Sequence, residues 1–349
     1  MEYIALGCMS GTSLDGIDCS LIKSDGVSYV SEISNQYIPY SKDLQTKLHD
    51  VMRKEYLDDI KVINQLNKEF KESINDFIKK NNFKIDLIAM HGQTVYHDEK
   101  TKISIQLFDK SIKFNTSSPV ICNFRKNDLL NGGNGAPIMP EFHRVIANKL
   151  DLKKVIFVNI GGVTNITIID NQKITAGDSS YGNAMVNDLI NEKIGEKFDV
   201  DGLLSKNGKK IDNLFNQLIS DNYFFKNLPK SLDRNYFHKY LNNFTKEKEL
   251  NNSIYTLLEV IPFAINSLIS QKSDFNIILM GGGRKNLTLQ KLFRKYFDSV
   301  SLIDEYQMDG DFIESQGMAL LGIRYLLKKQ STYYETTKVL KNIYLGEKC

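Results

Sequence analysis

Apolar residues follow two different spacings along the chain, and together these spacings predict a fold of strands and helices. Short apolar or β-branched runs predict strands at 3–8, 17–23, 27–37, 85–90, 103–108, 120–123, 155–159, 164–170 and 276–280. Apolar residues three and four apart predict helices at 60–80, 182–194, 209–220, 250–271 and 312–328. We expect Pro262 to kink or break the fourth of these helices, because proline removes a helical hydrogen bond. The pattern therefore predicts an α/β protein.

The order of elements at the start of the chain returns about 150 residues later. A strand, a turn containing Gly11 and a second strand open the first half, and a strand, the Gly161-Gly162 turn and a second strand open the second. This repeat favours two similar α/β domains with a cleft between them over a single large mixed domain. We expect one domain from residues 1–130 with about 325–349, and the other from residues 131–324.

Composition narrows the class of protein. Hydrophobic residues make up 42% and charged residues 25% of the 349 residues, as in ordinary globular proteins. The formal net charge of +3 is dispersed, which argues against nucleic-acid binding. No apolar run approaches the ~20 residues of a membrane span, and no basic leader opens the chain, so we expect a cytoplasmic protein without a membrane partner. The scattered Cys8, Cys19, Cys122 and Cys349 lack metal-ligand spacing and are expected to be reduced thiols.

The turn after the first strand, residues 7–18, has the composition of a phosphate-binding turn. Small residues let backbone N–H groups approach an anion, and nearby hydroxyls add donors. Asp15 and Asp18 are placed to hold Mg²⁺, which prefers oxygen ligands. A plain hairpin turn is the alternative, but it needs no pair of carboxylates. The residues expected to bind ATP here are Gly11, Thr12, Ser13, Asp15, Gly16 and Asp18.

Two further glycine turns are candidates for nucleotide binding. Gly161 and Gly162 occupy the same place in the second hairpin that Gly11 occupies in the first. Gly281, Gly282 and Gly283 lie between a buried strand and a helix, where helical N–H groups face a ligand, and Asn286 follows them. Taken alone, the Gly281–Gly283 turn is explained equally well as a tight connection between strand and helix that binds no ligand.

Polar residues after two strands of the first half suit a sugar. His91, Gln93 and Thr94 follow the apolar strand 85–90, and ligands gather at the carboxyl ends of such strands. His91 and His97 do not have the spacing of a helical metal pair, so we do not expect zinc. Arg125 is a candidate partner for a ligand carboxylate, with a surface arginine as the alternative.

Two carboxylates and one amide in the second half complete the candidate site. Asp178 stands before a predicted helix and is either its N-cap or a general base. Asn183 follows at the start of that helix. Glu314 begins the last helix, where it is either a substrate contact or an acid favoured by the helix dipole.

In combination these motifs resemble the anhydro-N-acetylmuramic acid kinase family, part of the actin-like, ribonuclease H-like ATPase superfamily. The resemblance covers nearly the whole chain. It rests on the motifs Met9–Gly16, His91–Thr94, Asn123–Arg125 and 132–137 together. It implies that 1,6-anhydro-N-acetylmuramic acid, ATP and water give N-acetylmuramic acid 6-phosphate and ADP, with Mg²⁺, in cell-wall recycling. By match to the family's Asp-Thr-Gly-Pro-Gly-Asn motif, it implies that Asp178 deprotonates the attacking water.

Two departures from the family's motifs concern the choice of sugar. Ser179-Ser180-Tyr181 stands where the family has Thr-Gly-Pro, and we expect the bulky Tyr181 to reshape the sugar pocket. Leu232-Asp233 replaces Thr-Gly in the family's Lys-Ser-Thr-Gly-Arg motif. A kinase of another amino sugar and an ATP-driven binding protein like actin or Hsp70 are therefore retained as alternatives. The sequence also leaves open whether the chain forms a homodimer.

Overall fold

The computed structural model describes residues 1–11, 14–54, 60–98, 101–269 and 274–349, and it divides the chain into two compact units. Unit 1 comprises Met1–Asp151 and Phe312–Cys349, and unit 2 comprises Leu152–Asp311. Both units have mixed α/β structure, so the predicted fold class is confirmed.

Unit 1 is built on one mixed sheet. Its strands are β1 (Tyr3–Ser10), β2 (Gly16–Ser24), β3 (Val30–Pro39), β4 (Leu87–Asp98), β5 (Ile103–Leu107), β6 (Val120–Cys122) and β12 (Glu347–Lys348). Its helices are α1 (Lys42–Lys54), α2 (Ile60–Asn81), α3 (Lys126–Leu130), α4 (Pro140–Lys149), α10 (Ile313–Leu326) and α11 (Tyr334–Thr337). The strand order is β12-β6-β4-β1-β2-β3, with β5 paired to β4.

Unit 2 has a sheet in the order β11-β10-β7-β8-β9. Its strands are β7 (Lys154–Ile160), β8 (Val163–Asp170), β9 (Lys173–Tyr181), β10 (Asn276–Met280) and β11 (Val300–Leu302). Its α-helices are α5 (Asn183–Ile194), α6 (Asp212–Ile219), α7 (Leu241–Thr245), α8 (Leu250–Ser267) and α9 (Leu287–Tyr296). Its 3₁₀ turns cover Val200–Gly202, Asn222–Phe225, Tyr236–Tyr240, Gly282–Lys285 and Ile303–Tyr306.

The two sheets share one strand topology. In unit 1, β1, β2 and β3 are antiparallel neighbours, whereas β4 runs parallel to β1 and β6 runs parallel to β4. In unit 2, β7, β8 and β9 repeat the antiparallel meander, and β10 and β11 repeat the two parallel additions. The duplication predicted from the opening hairpins therefore extends over five strands of each sheet.

The chain passes between the units after Asp151 and after Asp311, whereas the boundaries expected from the sequence are near residues 130 and 324. Helix α4 belongs to unit 1, because its Glu141 forms a buried ion pair with Arg324 of α10 at 2.8 Å. Helix α10 also belongs to unit 1 over its whole length. A Cβ atom on its Gly317 would lie 2.3 Å from the sulfur of Met139, so a glycine is needed for this close packing.

The helix with the internal proline is continuous in the structure. Helix α8 runs through Pro262, so the predicted break does not occur. Ile261, Ala264 and Ile265 around the proline are buried in the core of unit 2, and this packing offsets the ~3 kcal/mol that an internal proline costs. Residues 270–271, which the sequence analysis assigns to this helix, lie outside the described residues.

The prediction of four reduced cysteines is wrong for one pair. Cys122 and Cys349 form a disulfide, whereas Cys8 and Cys19 are buried free thiols. The pair is 227 residues apart in sequence and comes together because β12 adds to the edge of β6, a contact that local spacing does not reveal. Among the helices of the described residues, none is long and apolar enough to cross a membrane.

Candidate active site

Three glycine turns of unit 2 lie at one edge of its sheet. Strands β7, β9 and β10 run in the same direction, so their carboxyl ends meet at that edge. They lead into Gly161-Gly162, into Gly182-Asn183 and into Gly281–Gly283 respectively. The carboxyl edge of such a sheet is where ligands bind in open α/β folds. The predicted nucleotide turns of unit 2 are thus brought together.

Asp178 lies inside strand β9, close to this edge, and not at the end of a helix. Helix α5 begins at Asn183 with Gly182 as its N-cap, so the interpretation of Asp178 as a helix cap is wrong. Asp178 is half-buried and stands opposite Asn165 of β8. One carboxylate oxygen accepts a hydrogen bond from the backbone N–H of Leu232 at 2.8 Å. This bond fixes the orientation of the carboxylate.

A buried lysine and a tyrosine support the Asp178 backbone. The carbonyl of Lys230 accepts from the N–H of Asp178 at 2.8 Å, and the hydroxyl of Tyr223 donates to the carbonyl of Asp178 at 2.7 Å. The ammonium of Lys230 lies 4.3 Å from the centre of the Tyr223 ring. Burial, followed by the charge of Lys226, lowers the pKa of Lys230 to about 8, while the charge of Asp178 opposes the shift. Asp178 is therefore held from three sides by main chain and side chain.

A cavity of about 330 Å³ in unit 2 adjoins the third glycine turn. Gly282 and Gly283 form part of its wall, and Phe198, Val200 and Leu258 give it an apolar face. Gly281 has a φ of +72°, and a Cβ on Gly283 would lie 2.3 Å from Ile160, so both positions require glycine for the fold itself. A Cβ on Gly282 would meet no atom within 4 Å. Gly282 therefore lines the cavity without being required to be glycine by packing.

Asn183 and Asn286 also line this cavity, and the side chains of both also form hydrogen bonds within the protein. Asn286 caps helix α9 by accepting from the N–H of Leu289 at 3.0 Å, and it donates to Asp199 at 3.0 Å. Asn183 donates to the carbonyl of Ile160 at 3.3 Å. Asn183, which the sequence predicts to bind the sugar, lies beside the glycine turn predicted to bind ATP, and its contact with a sugar stays a prediction.

The second hairpin turn is packed against the start of helix α5. The carbonyl of Gly161 accepts from the N–H of Asn183 at 2.8 Å, and the carbonyl of Gly162 accepts from Gly182 at 3.0 Å. These bonds hold the turn rigidly at the carboxyl edge. Its contact with a phosphate stays a prediction.

In unit 1 the first hairpin turn is tied to the His91–Thr94 segment. The side chain of Gln93 donates to the carbonyl of Gly11 at 2.8 Å and accepts from the hydroxyl of Tyr40 at 3.1 Å. Gln93 is fully buried and Thr94 nearly so. The predicted contacts of these two residues with sugar hydroxyls are not tested. The structure shows that Gln93 supports the turn.

Asp15 and Asp18 lie at the start of β2, beside Tyr37 of β3. Asp15 is exposed and Asp18 half-buried, and Gly16 packs against the Tyr37 ring. Burial, and then the charges of Asp15 and Asp18, raise the pKa of Tyr37. The Tyr37 hydroxyl donates to the backbone carbonyl of Asp15 at 3.0 Å. Thr12 and Ser13 lie outside the described residues.

These two carboxylates fit a magnesium ion that takes its other ligands from water and phosphate. Within the described residues, no group of three or more His, Cys, Asp or Glu side chains is placed to hold a metal. Mg²⁺ usually keeps several waters and binds through one or two carboxylates and substrate phosphates. Asp15 and Asp18, beside the turn predicted to bind phosphate, would supply two such carboxylates.

Arg125, His91 and Glu314 come together in unit 1. The guanidinium Nε of Arg125 donates to Nε2 of His91 at 3.2 Å, and its NH1 donates to the carbonyl of Gly135 at 2.9 Å. Nδ1 of His91 lies 2.9 Å from the carbonyl of Gly92, so the ring carries its proton on Nδ1. Burial, followed by the charge of Arg125, lowers the pKa of His91 to about 3. His91 is therefore neutral, buried and engaged at both nitrogens.

Burial lowers the pKa of Arg125 to about 10, and the charges of Glu314 and Asp128 oppose that shift. Arg125 is thus a cation at neutral pH. Glu314 lies in the first turn of α10, as expected, and is half-buried. Arg125 is half-buried as well.

Sequence comparison identifies the family. The sequence model of the family "Anhydro-N-acetylmuramic acid kinase" matches residues 2–348. The chain belongs to this family. The anhydro-N-acetylmuramic acid kinase of Pelagibacter ubique is 34% identical over 97% of this chain and 96% of its own. That of Rhodopseudomonas palustris strain CGA009 is 31% identical over 97% of each chain. The predicted resemblance is confirmed, and the chain is a member of a sugar kinase family.

The structure explains how this member accommodates its two departures from the family's motifs. Tyr181 and Asp178 lie on β9 on either side of a register shift, at which β9 has one residue more than β8. The Tyr181 hydroxyl donates to the carbonyl of Leu257 at 3.0 Å, and its ring packs edge-on against Phe237 in the core. Tyr181 is therefore part of the core of unit 2, and its effect on the sugar pocket stays a prediction. At Leu232, the backbone N–H makes the contact with Asp178, so the contact does not depend on the side chain.

Several cavity-lining residues escaped the sequence analysis of this family member. Phe198, Val200 and Asp201 form part of the wall of the cavity at Gly282. They stand in a stretch of irregular chain and a 3₁₀ turn, without a glycine-rich or charged motif. Phe198 and Val200 are about half exposed, which is unusual for large apolar residues and is visible in the fold alone.

Proposed function

We propose that this chain is an ATP-dependent kinase that opens 1,6-anhydro-N-acetylmuramic acid with water and transfers a phosphoryl group to O6. The products are N-acetylmuramic acid 6-phosphate and ADP, and the enzyme acts in the cytoplasm in peptidoglycan recycling. The observation that carries the proposal is the position of Asp178, a fixed and partly accessible carboxylate at the glycine-rich edge of a member of this kinase family.

The chemistry of the substrate requires a base. The 1,6-anhydro bridge leaves no free 6-hydroxyl, so the bond between C1 and the bridge oxygen must break as that oxygen takes the phosphoryl group. Water attacks C1 and loses a proton. We assign the acceptance of that proton to the carboxylate of Asp178, whose orientation the N–H of Leu232 fixes.

Unit 2 also supplies the nucleotide contacts in this proposal. The cavity at Gly282 takes the adenosine, with Phe198 and Val200 covering an apolar base. The Gly161-Gly162 and Gly281–Gly283 turns approach the phosphates through backbone groups. Asn183 and Asn286 shape the cavity wall.

Unit 1 supplies the metal and sugar contacts. Asp15 and Asp18, next to the Gly11 turn, would hold Mg²⁺, which when bound neutralises charge on the transferring phosphate. The guanidinium of Arg125 binds the lactyl carboxylate of the sugar in this proposal. His91 acts by holding Arg125, since both of its nitrogens are engaged. Glu314 lies near the same guanidinium.

An ADP-release assay with a panel of sugars tests this function. We expect stoichiometric ADP with 1,6-anhydro-N-acetylmuramic acid, and little ADP with N-acetylmuramic acid, N-acetylglucosamine or 1,6-anhydro-N-acetylglucosamine. Faster release with a free amino sugar would identify a different sugar kinase. ADP release that ignores every sugar would favour an ATP-driven binding protein instead.

A further inference from the structure

The carboxyl-terminal residues 346–349 of unit 1 lie along the segment that carries Arg125, and we call them the terminal strap. Strand β12 pairs antiparallel with β6, and the N–H of Cys349 donates to the carbonyl of Val120 at 2.9 Å. The Cys122–Cys349 disulfide joins the strap to the residue three positions before Arg125. The strap is therefore fixed to the chain on the amino-terminal side of Arg125.

Glu347 makes the main polar contacts of the strap. Its carboxylate accepts from the side-chain amide of Asn123 at 2.5 Å and from the ammonium of Lys126 at 2.9 Å, and it pairs with Lys110. Asn123 precedes Arg125 by two residues and Lys126 follows it directly. One carboxylate thus holds both sides of Arg125.

The backbone of the strap adds two constraints on the same segment. The carbonyl of Gly346 accepts from the side chain of Asn127 at 2.9 Å. Gly346 has a φ of +99°, and a Cβ there would lie 3.2 Å from the ring of Phe124, the neighbour of Arg125. Asn123 itself has a φ of +54°, which asparagine tolerates better than most residues but which needs support. The turn that presents Arg125 is therefore held by the strap from Asn123 to Asn127.

From these contacts we infer that Glu347 is a positioning residue for Arg125 and sets the affinity for the carboxylate-bearing sugar. The inference rests on the proposed role of Arg125. Glu347 does not touch the sugar in this account. It fixes the turn, His91 fixes the guanidinium, and the two together determine where the N–H groups of Arg125 point. Loss of the Glu347 charge releases Lys110 and Lys126 and loosens the turn.

Steady-state kinetics of Glu347→Gln test this inference. Glutamine keeps the shape and can still accept from Asn123, but it loses both ion pairs. We expect the KM for 1,6-anhydro-N-acetylmuramic acid to rise roughly 3-fold to 10-fold, within the range of couplings in one hydrogen-bonded network. The kcat and the KM for ATP should stay near their original values. Glu335→Gln, at an exposed glutamate of α11, is the matched control and should change none of these constants.

A double-mutant cycle separates this role from a general loss of stability. Arg125→Ala should raise the KM for the sugar by about 10-fold to 100-fold, because hydrogen bonds between charged groups are strong. If Glu347 acts through Arg125, Glu347→Gln should add no further increase in the Arg125→Ala background. Additive increases, or equal increases in the KM of sugar and ATP, would overturn the inference.

The outcomes also distinguish the inference from the proposed function. If Arg125→Ala raises the KM for the sugar and Glu347→Gln does not, the positioning role of Glu347 is overturned while the proposed function stands. An unchanged sugar KM in Arg125→Ala overturns the role of Arg125 together with the inference. Thermal unfolding of each variant accompanies the kinetics, and a Glu347→Gln effect confined to the unfolding temperature would show that the strap is only structural.

Discussion

Replacing Asp178 with asparagine distinguishes a general base from an anchor for the neighbouring chain. In the structure the carboxylate of Asp178 anchors the neighbouring chain, because it accepts a hydrogen bond from the N–H of Leu232 at 2.8 Å. The amide oxygen of asparagine can accept the same hydrogen bond. It cannot take a proton from water. The two duties therefore predict different results for one nearly isosteric change.

The size of the expected effect follows from the chemistry of the step. General-base catalysis contributes about 10²-fold to 10⁴-fold, which corresponds to about 3–5 kcal/mol of activation free energy. We expect kcat of Asp178→Asn to fall by that factor or more, with the dissociation constants for ATP and sugar little changed. Coupled ADP release gives kcat, and isothermal titration calorimetry gives both dissociation constants.

Asp178→Ala provides the matched control. Alanine removes both the base and the anchor, so it should lower kcat as much as asparagine does and should also lower the unfolding temperature. A buried hydrogen bond to a charged group contributes about 1.5–3 kcal/mol. If Asp178→Asn has a normal kcat while Asp178→Ala is impaired, Asp178 is only an anchor and the assignment of the base is wrong.

Three further predictions concern the glycine turn, the metal and a buried histidine. Gly282→Ala should raise the KM for ATP about tenfold if ATP binds at this turn, and it should not lower the unfolding temperature, because the added Cβ meets no protein atom. Gly283→Ala should instead lower the unfolding temperature, because its Cβ would collide with Ile160. An unchanged KM for ATP in Gly282→Ala would remove Gly282 from the nucleotide site. Asp18→Asn should raise the Mg²⁺ concentration for half-maximal kcat/KM severalfold, and an unchanged magnesium dependence would contradict the metal assignment. Because the pKa of His91 is about 3 in the folded state and near 6.5 when unfolded, the unfolded chain binds more protons between these values, so His91 should contribute a fall in the unfolding free energy of about 1.4 kcal/mol per pH unit between pH 6.5 and pH 3. Urea unfolding at several pH values should show a shallower slope for His91→Gln, and an equal slope would refute this origin.

The parts of the fold with local signals were predictable from the sequence. The hairpins at Gly11 and Gly161, the apolar face of α2 and the apolar strand before His91 all carry regular spacing, and the structure has each of them. Strand β9 was not predicted, because Gly177, Asp178 and two serines are weak strand formers. It forms because β8 offers it a complete set of backbone partners.

The sequence predicts which residues lie in the candidate site, but it does not predict the contacts that each of them makes. The sequence predicts that His91 and Gln93 contact the sugar. In the structure His91 bonds to Arg125, 34 residues away, and Gln93 bonds to Gly11 and Tyr40, 82 and 53 residues away. Such partners depend on strand register. The burial of Tyr181 was not predictable from local spacing, because it depends on contacts of β9 with Phe237 and Leu257, which are distant in sequence.

Time-resolved NMR of the first product tests the central claim most directly. Water that attacks C1 opposite the departing bridge oxygen inverts the anomeric centre, so a β-configured 1,6-anhydro sugar should give the α-anomer of N-acetylmuramic acid 6-phosphate first. We expect that anomer to appear before mutarotation and in step with ADP. An initial β-anomer would contradict inversion by water activated at Asp178, and free N-acetylmuramic acid preceding the phosphate ester would contradict the coupling of ring opening to phosphoryl transfer.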